Sequence, residues 1–168
     1  MDSEGKGSIV VTDDSTTICK AIKNAHKFGK SIVIVDDFQY TMANEFMRRG
    51  MEKGYDKFTE IGMNAWNIMV AASEAGPGVN VFILSHVAAD LTGVVKAKTI
   101  GKMLDEKVVV EGMFPIVLRT VINEGHHYFT TKSNGSDTVK APMGMFKDPA
   151  IDNDLAEVDQ AIRDYYNL

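Results

Sequence analysis

This sequence has little cysteine, and it has no long apolar run and no secretion signal. Each of these features excludes a class of protein. The 168 residues contain one cysteine, Cys19, which excludes an internal disulfide framework and favours a reducing compartment. No stretch is long and apolar enough to span a bilayer, and small and charged residues follow Met1 where a signal peptide would be apolar. We therefore expect an intracellular, cytoplasmic protein without a membrane segment.

Excess positive charge is also missing, since the formal net charge is -5 at pH 7. This argues against a strongly electrostatic nucleic-acid binder, although local basic clusters remain able to contact phosphates. The composition is 45% hydrophobic and 24% charged, which is typical of a globular domain with a real core. No repeat or linker divides the sequence, so we predict one domain over residues 8–168, preceded by a flexible N-terminus of residues 1–7.

Helical and strand-like patterns alternate along the first half of the chain. Residues 8–12 read as a short apolar strand, and the polar residues 13–16 then offer N-caps for a helix. The branched run 32–35 reads as a strand buried on both faces. Two helices are expected next, at about 41–53 and from Asp56 to the Gly76-Pro77-Gly78 stop.

Residues 79–84, within VNVFILSHV, form a second continuous apolar run. Strands of this kind separated by helices predict crossover connections, and hence a mainly parallel sheet with helices on both faces. The last third is different, because KVVVEG, FPIVLRTVI and HHYFTTK are β-rich runs between turn signals. They predict antiparallel or mixed additions, followed by a final helix at about 153–166.

Two aspartates follow the first buried run directly, as Asp36 and Asp37 in SIVIVDDFQY. Adjacent carboxylates repel, so the pair is favourable only beside a cation or in contact with water. An apolar strand closed by Asp-Asp is a Walker B pattern, in which the first carboxylate holds Mg²⁺ and the second polarises the attacking water. The alternative is an ordinary acidic strand cap. Ser85 and His86 end the second run, and ligands of parallel sheets bind beyond such strand ends.

Five longer blocks extend this pattern over most of the chain: IVIVDDFQYTMANEFMRR, GYDKFTEIGMNAWNIM, VFILSHV, TIGKMLDEKVVVEGMF and FTTKSNGSDTVKAPMGMF. Together they resemble the bacteriophage-encoded RecA/AAA-like P-loop ATPases. The resemblance implies a three-layer α/β NTPase core that binds ATP and Mg²⁺, in phage DNA recombination or replication within the bacterial cytoplasm. It also implies metal binding by Asp36 and Asp37, a catalytic role for Asp37, and Ser85 or His86 as a polar sensor.

One part of the family pattern is missing, because no GxxxxGK[ST] occurs anywhere and GKGS at residues 5–8 has the wrong spacing. Without this Walker A loop the phosphates lack their cradle, so we expect hydrolysis by this chain to be impaired. The central Walker A strand would be absent too, which leaves one edge of VNVFILSHV uncovered. We therefore expect a homo-oligomer or a protein partner.

Lysines in VVKAKTIGK are further candidates for phosphate contact. Lys96, Lys98 and Lys102 would reach a phosphate across a subunit boundary or contact a DNA backbone, and the alternative is that all three are solvated surface lysines. Two functions follow from the whole sequence. The first is a truncated ATPase core that binds nucleotide and Mg²⁺ in DNA metabolism. The second is a non-catalytic derivative that engages a full-length ATPase or a host factor.

Overall fold

The computed structural model of the protein describes residues 8–101, 104 and 108–168. Its contacts divide the chain into an N-terminal unit that ends at Leu84 and a C-terminal unit that begins at Ser85. The single domain expected over 8–168 stays a prediction, and residues 1–7 lie outside the described residues. The elements of the N-terminal unit are α1 (Ser15–Asn24), a 3₁₀ helix (Ala25–Phe28), β1 (Ile32–Val35), α2 (Gln39–Arg48), α3 (Asp56–Ser73) and β2 (Asn80–Ile83).

Helix α1 begins where the sequence offers an N-cap. The Asp14 carboxylate accepts hydrogen bonds from the Thr17 backbone N–H at 2.7 Å and from the Thr17 hydroxyl at 2.6 Å. These bonds satisfy donors that a helix start leaves unpaired. The chain leaves the following 3₁₀ helix at Gly29, whose φ of 66° is a left-handed conformation that glycine adopts without a steric penalty.

Helices form the core of the N-terminal unit, in which α3 packs against both α1 and α2. One face of α3 carries Ile61, Ala65 and Ile68 at helical spacing and removed from solvent, which is the amphipathic pattern expected of a helix on a core. The largest fully buried side chains of this unit are Ile22, Met42, Ile61, Ile68 and Met69.

Polar contacts also join α2 to α3. The Arg49 guanidinium, just after α2, forms ion pairs with Glu45 at 3.0 Å, Glu52 at 2.8 Å and Glu60 at 2.6 Å. The Glu45 carboxylate in turn accepts hydrogen bonds from the side-chain amide of Asn64 on α3 at 2.9 and 3.1 Å. Hydrogen bonding to these carboxylates, Glu52 first, raises the pKa of Arg49 further above its ordinary value. The network fixes how the two helices lie side by side.

Strands β1 and β2 are parallel neighbours in register from Ile32 opposite Asn80 to Val35 opposite Ile83. Backbone bonds continue the pairing past the strand ends, from Leu84 N–H to Val35 O and from Phe38 N–H to Leu84 O, both at 2.9 Å. Val35 is buried, whereas Ile32 and Ile34 are 41% and 52% exposed. The face of β1 that carries Ile32 and Ile34 is therefore less covered than the face that carries Val35.

The predicted fold, a mainly parallel three-layer RecA/AAA-like sheet with helices on both faces, is wrong for the described part of the chain. There the strands form three small sheets, of which only β1–β2 is parallel. One reason lies in residues 8–12, which form no strand and leave Ile9, Val10 and Val11 exposed. Propensity favours a strand in such a run, but a strand also requires a partner ladder.

In the described part of the C-terminal unit, five strands form two small sheets, and a 3₁₀ helix and one α-helix accompany them. Its elements are β3 (Val87–Ala89), β4 (Val95–Ala97), a 3₁₀ helix (Val110–Met113), β5 (Arg119–Asn123), β6 (His126–Thr130), β7 (Ala150–Asp152) and α4 (Leu155–Tyr166). Strands β3 and β4 form an antiparallel hairpin, and β5, β6 and β7 form an antiparallel sheet in that order. The described end of KVVVEG is not a strand, because its last residues enter the 3₁₀ helix.

Asp90 organises the turn between β3 and β4. Its Oδ1 accepts hydrogen bonds from the Thr92 hydroxyl at 2.6 Å, the Thr92 N–H at 2.8 Å and the Val94 N–H at 3.1 Å. Its Oδ2 lies 2.9 Å from the Lys96 ammonium nitrogen. The Thr92 hydroxyl, together with Lys96, holds the pKa of Asp90 well below its usual range.

This lowered pKa predicts acid sensitivity of the hairpin. Because the folded state binds the Asp90 proton more weakly than the unfolded chain, the stabilisation is complete above about pH 4 and is lost as the pH falls through the folded-state pKa. We expect Asp90→Asn to lower the melting temperature at pH 6 and to flatten its decline between pH 4 and pH 2. Circular dichroism melts at each pH measure this decline, with the exposed Asp152→Asn as the charge-matched control. An equally steep decline in Asp90→Asn and in the parent would contradict the role of Asp90.

Helix α4 has a capping aspartate at its start and an ion pair along its length. Asp154 accepts a hydrogen bond from the Ala156 N–H at 2.7 Å, and the Arg163 guanidinium lies 2.7 Å from Asp159 one turn earlier. Val158 is only 1% exposed and anchors the helix in the C-terminal unit. No helix within the described ranges is long and apolar enough to cross a membrane.

Candidate functional site

The Asp36–Asp37 turn, which is the dipeptide between β1 and α2, is the candidate site in the N-terminal unit. Both side chains are exposed, and the Asp37 N–H donates a hydrogen bond to Asp36 Oδ1 at 2.9 Å. Asp37 has a φ of 51°, in the left-handed region that aspartate tolerates better than most residues. This conformation turns the chain sharply as it leaves the buried end of β1.

Buried neighbours fix the position of the turn. Phe38 follows the pair at 3% exposure, and its N–H donates to the Leu84 carbonyl oxygen at the end of β2. The Tyr40 N–H donates to the Asp37 carbonyl oxygen at 2.8 Å, which forms the first turn leading into α2. The parallel strand pair thus presents the two carboxylates at its carboxyl end, where α/β proteins bind ligands.

Gln39 is a member of this region that sequence reasoning did not single out. It begins α2 and is 9% exposed, and within the described residues its Oε1 atom is buried without a hydrogen-bond partner. Buried polar atoms are nearly always paired, so such an oxygen is unusual. The sequence feature that could have indicated Gln39 is its polar amide directly after the apolar Phe38, at a position of α2 that faces the core.

The carboxylate oxygens of this turn fit Mg²⁺ better than they fit a metal that requires several protein ligands. Asp36 Oδ2 accepts no hydrogen bond from any described residue, so one oxygen of this carboxylate is available to a cation. In the described part of the chain no three His, Cys, Asp or Glu side chains are placed to hold a metal ion together. Mg²⁺ commonly uses one or two carboxylates and completes its shell with waters and substrate phosphate oxygens.

Ser85 and His86 follow Leu84 directly and belong to the C-terminal unit. The Ser85 hydroxyl donates to the His86 carbonyl oxygen at 3.2 Å, and that same carbonyl accepts the Lys98 N–H at 2.8 Å. The backbone at this point is therefore tied into the β3–β4 hairpin. The sensor role of these residues stays a prediction.

The structure describes only one of the two candidate phosphate-binding lysines Lys98 and Lys102. Lys98 is exposed just after β4, with its backbone held by His86. Lys102 lies outside the described residues. Contact of either lysine with a nucleotide stays a prediction.

Comparison with protein-family models, with curated proteins and with solved structures found no match to this chain.

Proposed function

We propose that the protein binds Mg²⁺ and a nucleotide phosphate at the Asp36–Asp37 turn and works in phage DNA recombination or replication, in the cytoplasm of the bacterial host. Asp36 holds the ion, and Asp37 contributes to the metal site and acts on the water that attacks a phosphate. Ser85 or His86 acts as the polar sensor, and Lys98 and Lys102 reach a nucleotide across a subunit boundary or contact a DNA backbone. Hydrolysis by this chain alone is weak, since no Walker A loop occurs in the sequence.

The observation that carries this proposal is the exposure of both carboxylates at the carboxyl end of the β1–β2 pair. Structural acidic caps are paired with donors, as Asp14 and Asp90 are in this chain. Among the described residues Asp36, by contrast, accepts a hydrogen bond only through Oδ1, from its neighbour's N–H. Its Oδ2 is thus open to a cation, and a divalent ion beside two adjacent carboxylates would offset their mutual repulsion.

Removal of the Asp36 charge is the direct test of the metal site. We expect Asp36→Asn to weaken Mg²⁺ and Mn²⁺ binding by about tenfold or more, because a carboxylate is a much better ligand for a hard cation than an amide and each tenfold equals about 1.4 kcal/mol. Isothermal titration with each metal chloride measures the affinity, with the exposed Asp56→Asn as the charge-matched control. Equal affinities in the parent, Asp36→Asn and Asp56→Asn would refute the site.

The second candidate is a non-catalytic derivative that binds another protein, such as a full-length ATPase, a host factor or further copies of itself. The exposed apolar side chains of Ile32 and Ile34 on β1, and of Ile9, Val10 and Val11 before α1, favour it. Light scattering at low micromolar concentration, in the presence and absence of Mg²⁺ and nucleotide, separates the candidates. A metal-independent oligomer with no affinity difference between parent and Asp36→Asn would support the second function and reject the first.

A further inference from the structure

An open cavity of about 350 Å³ lies within the C-terminal unit, in the block FTTKSNGSDTVKAPMGMF and the lysine that follows it. The proposed metal site makes no use of this block. The cavity lies between residues 131–132, which follow β6, and residues 141–147, which precede β7. Its volume is at the lower end of the range for small-molecule sites. The residues important for its chemistry are Thr131, Lys132, Pro142, Met143, Phe146 and Lys147.

Hydrogen bonds hold the two walls of this cavity together. Thr131 is 2% exposed, and it donates through its N–H to Pro149 O at 3.0 Å and through Oγ1 to Asp148 O at 2.6 Å. On the other wall, the Met143 carbonyl oxygen accepts the Tyr165 hydroxyl of α4 at 3.2 Å. The cavity is thus built into the fold of this unit and needs no ligand to shape it.

A tight turn forms the rim. The Met145 N–H donates to the Pro142 carbonyl oxygen at 3.2 Å, and Gly144 has a φ of 85° that a residue with a side chain rarely adopts. Between them Met143 is 94% exposed, although its backbone is held by Tyr165. The rim therefore presents a solvated thioether on a backbone that is held in place, and this flexible apolar group adapts to flat ligands.

Two lysines give the cavity its charge. Lys132 and Lys147 are exposed, and neither forms an ion pair or hydrogen bond with any other residue that the structure describes. Elsewhere in the chain Lys23 and Lys96 are neutralised by Glu74 and Asp90. In a chain of net charge -5, two unengaged cations on one cavity mark a site for a negatively charged ligand.

We propose that this cavity binds a phosphate monoester that carries a flat, largely apolar group, with a mononucleotide as the representative ligand. The Lys132 and Lys147 ammonium groups bind the phosphate, since lysine is a common phosphate ligand that acts as a point charge and a phosphate monoester has enough negative charge for two of them. Pro142, Met143 and Phe146 pack against the base. The same chemistry occurs in a free nucleotide and at the phosphorylated end of a DNA strand. This inference does not rest on the Mg²⁺ site.

The test uses thymidine 5′-monophosphate as the probe, in buffer with EDTA so that the Asp36–Asp37 turn holds no metal. Isothermal titration is performed with the full chain, and unphosphorylated thymidine serves as the uncharged counterpart. We expect Lys132→Gln and Lys147→Gln each to weaken binding by about tenfold, the usual loss for one charge-assisted hydrogen bond. Lys30→Gln, an exposed lysine of the other unit, is the charge-matched control and should bind like the parent.

A second readout reports the location of binding independently of charge. The methyl NMR signal of Met143, assigned by its loss in Met143→Leu, should shift on addition of the nucleotide, since this side chain lies on the rim. Tighter binding of a 5′-phosphorylated oligothymidylate than of the mononucleotide would identify a strand end as the ligand, and equal binding would identify the free nucleotide. No detectable binding, equal affinity for thymidine, or an affinity unchanged in both lysine variants would overturn the proposal.

Discussion

Replacing Ile61 by alanine is expected to lower the free energy of unfolding of the N-terminal unit by about 2 to 5 kcal/mol, the range for large-to-small changes in a packed core. Ile61 is 0% exposed on α3, the helix that packs against both α1 and α2. Alanine removes buried apolar surface and leaves a cavity that three packed helices cannot fully close. Urea unfolding monitored by tryptophan fluorescence measures the loss, because the one tryptophan, Trp66, is on α3.

Met63→Ala is the matched control for this change, since Met63 is on the same helix and is 55% exposed. Surface substitutions of this kind usually change stability by less than about 0.5 kcal/mol. If Ile61→Ala lowered the free energy of unfolding no more than Met63→Ala, the face of α3 that carries Ile61 would not be packed in the core. The packing of α3 against its two neighbours would then be wrong.

Replacing Lys57 by methionine is expected to lower the free energy of unfolding by about 1 to 3 kcal/mol, the usual cost of leaving buried polar groups unpaired. Lys57 is 8% exposed, and its ammonium donates to the carbonyl oxygens of Glu52 at 2.8 Å and Arg49 at 3.1 Å. These carbonyls follow the last turn of α2, where a helix lacks internal donors. Methionine has a similar length but no donor, so the Glu52 carbonyl loses this partner and the Arg49 carbonyl keeps the Glu52 N–H at 3.0 Å.

Aromatic rings enclose the same ammonium group. Its nitrogen lies 5.6 Å from the centroid of the Phe46 ring and 5.5 Å from that of Phe58, within the range of cation–π attraction. Lys53→Met is the control, because Lys53 is exposed and has no such contacts in the described structure. Urea midpoints that fall equally in the two variants, or do not fall in Lys57→Met, would show that Lys57 is not a cap for α2.

The sequence predicted the local elements of the N-terminal unit well. The helix expected from Asp56 to the glycine-proline stop is α3, and the run at 32–35 is β1. The N-cap expected among residues 13–16 is Asp14. These features depend on periodicity, capping and turn residues within a few positions of one another, so a single stretch of sequence contains the required information. By the same reasoning the sequence places Asp36 and Asp37 directly after a strand.

Strand pairing could not be predicted from the sequence, and the predicted three-layer sheet is wrong for that reason. An apolar run such as residues 8–12 shows strand propensity, but only contacts with residues far along the chain decide whether a ladder forms. The engagement of Lys57, the unpaired oxygen of Gln39 and the cavity lined by Lys132 and Lys147 were decided in the same way. By itself the sequence determined which segments are helical, where they begin, and where two carboxylates follow a strand. Only the tertiary structure decided which strands are neighbours and which charged side chains are buried, paired or left facing a cavity, because these properties come from contacts between segments distant in the chain.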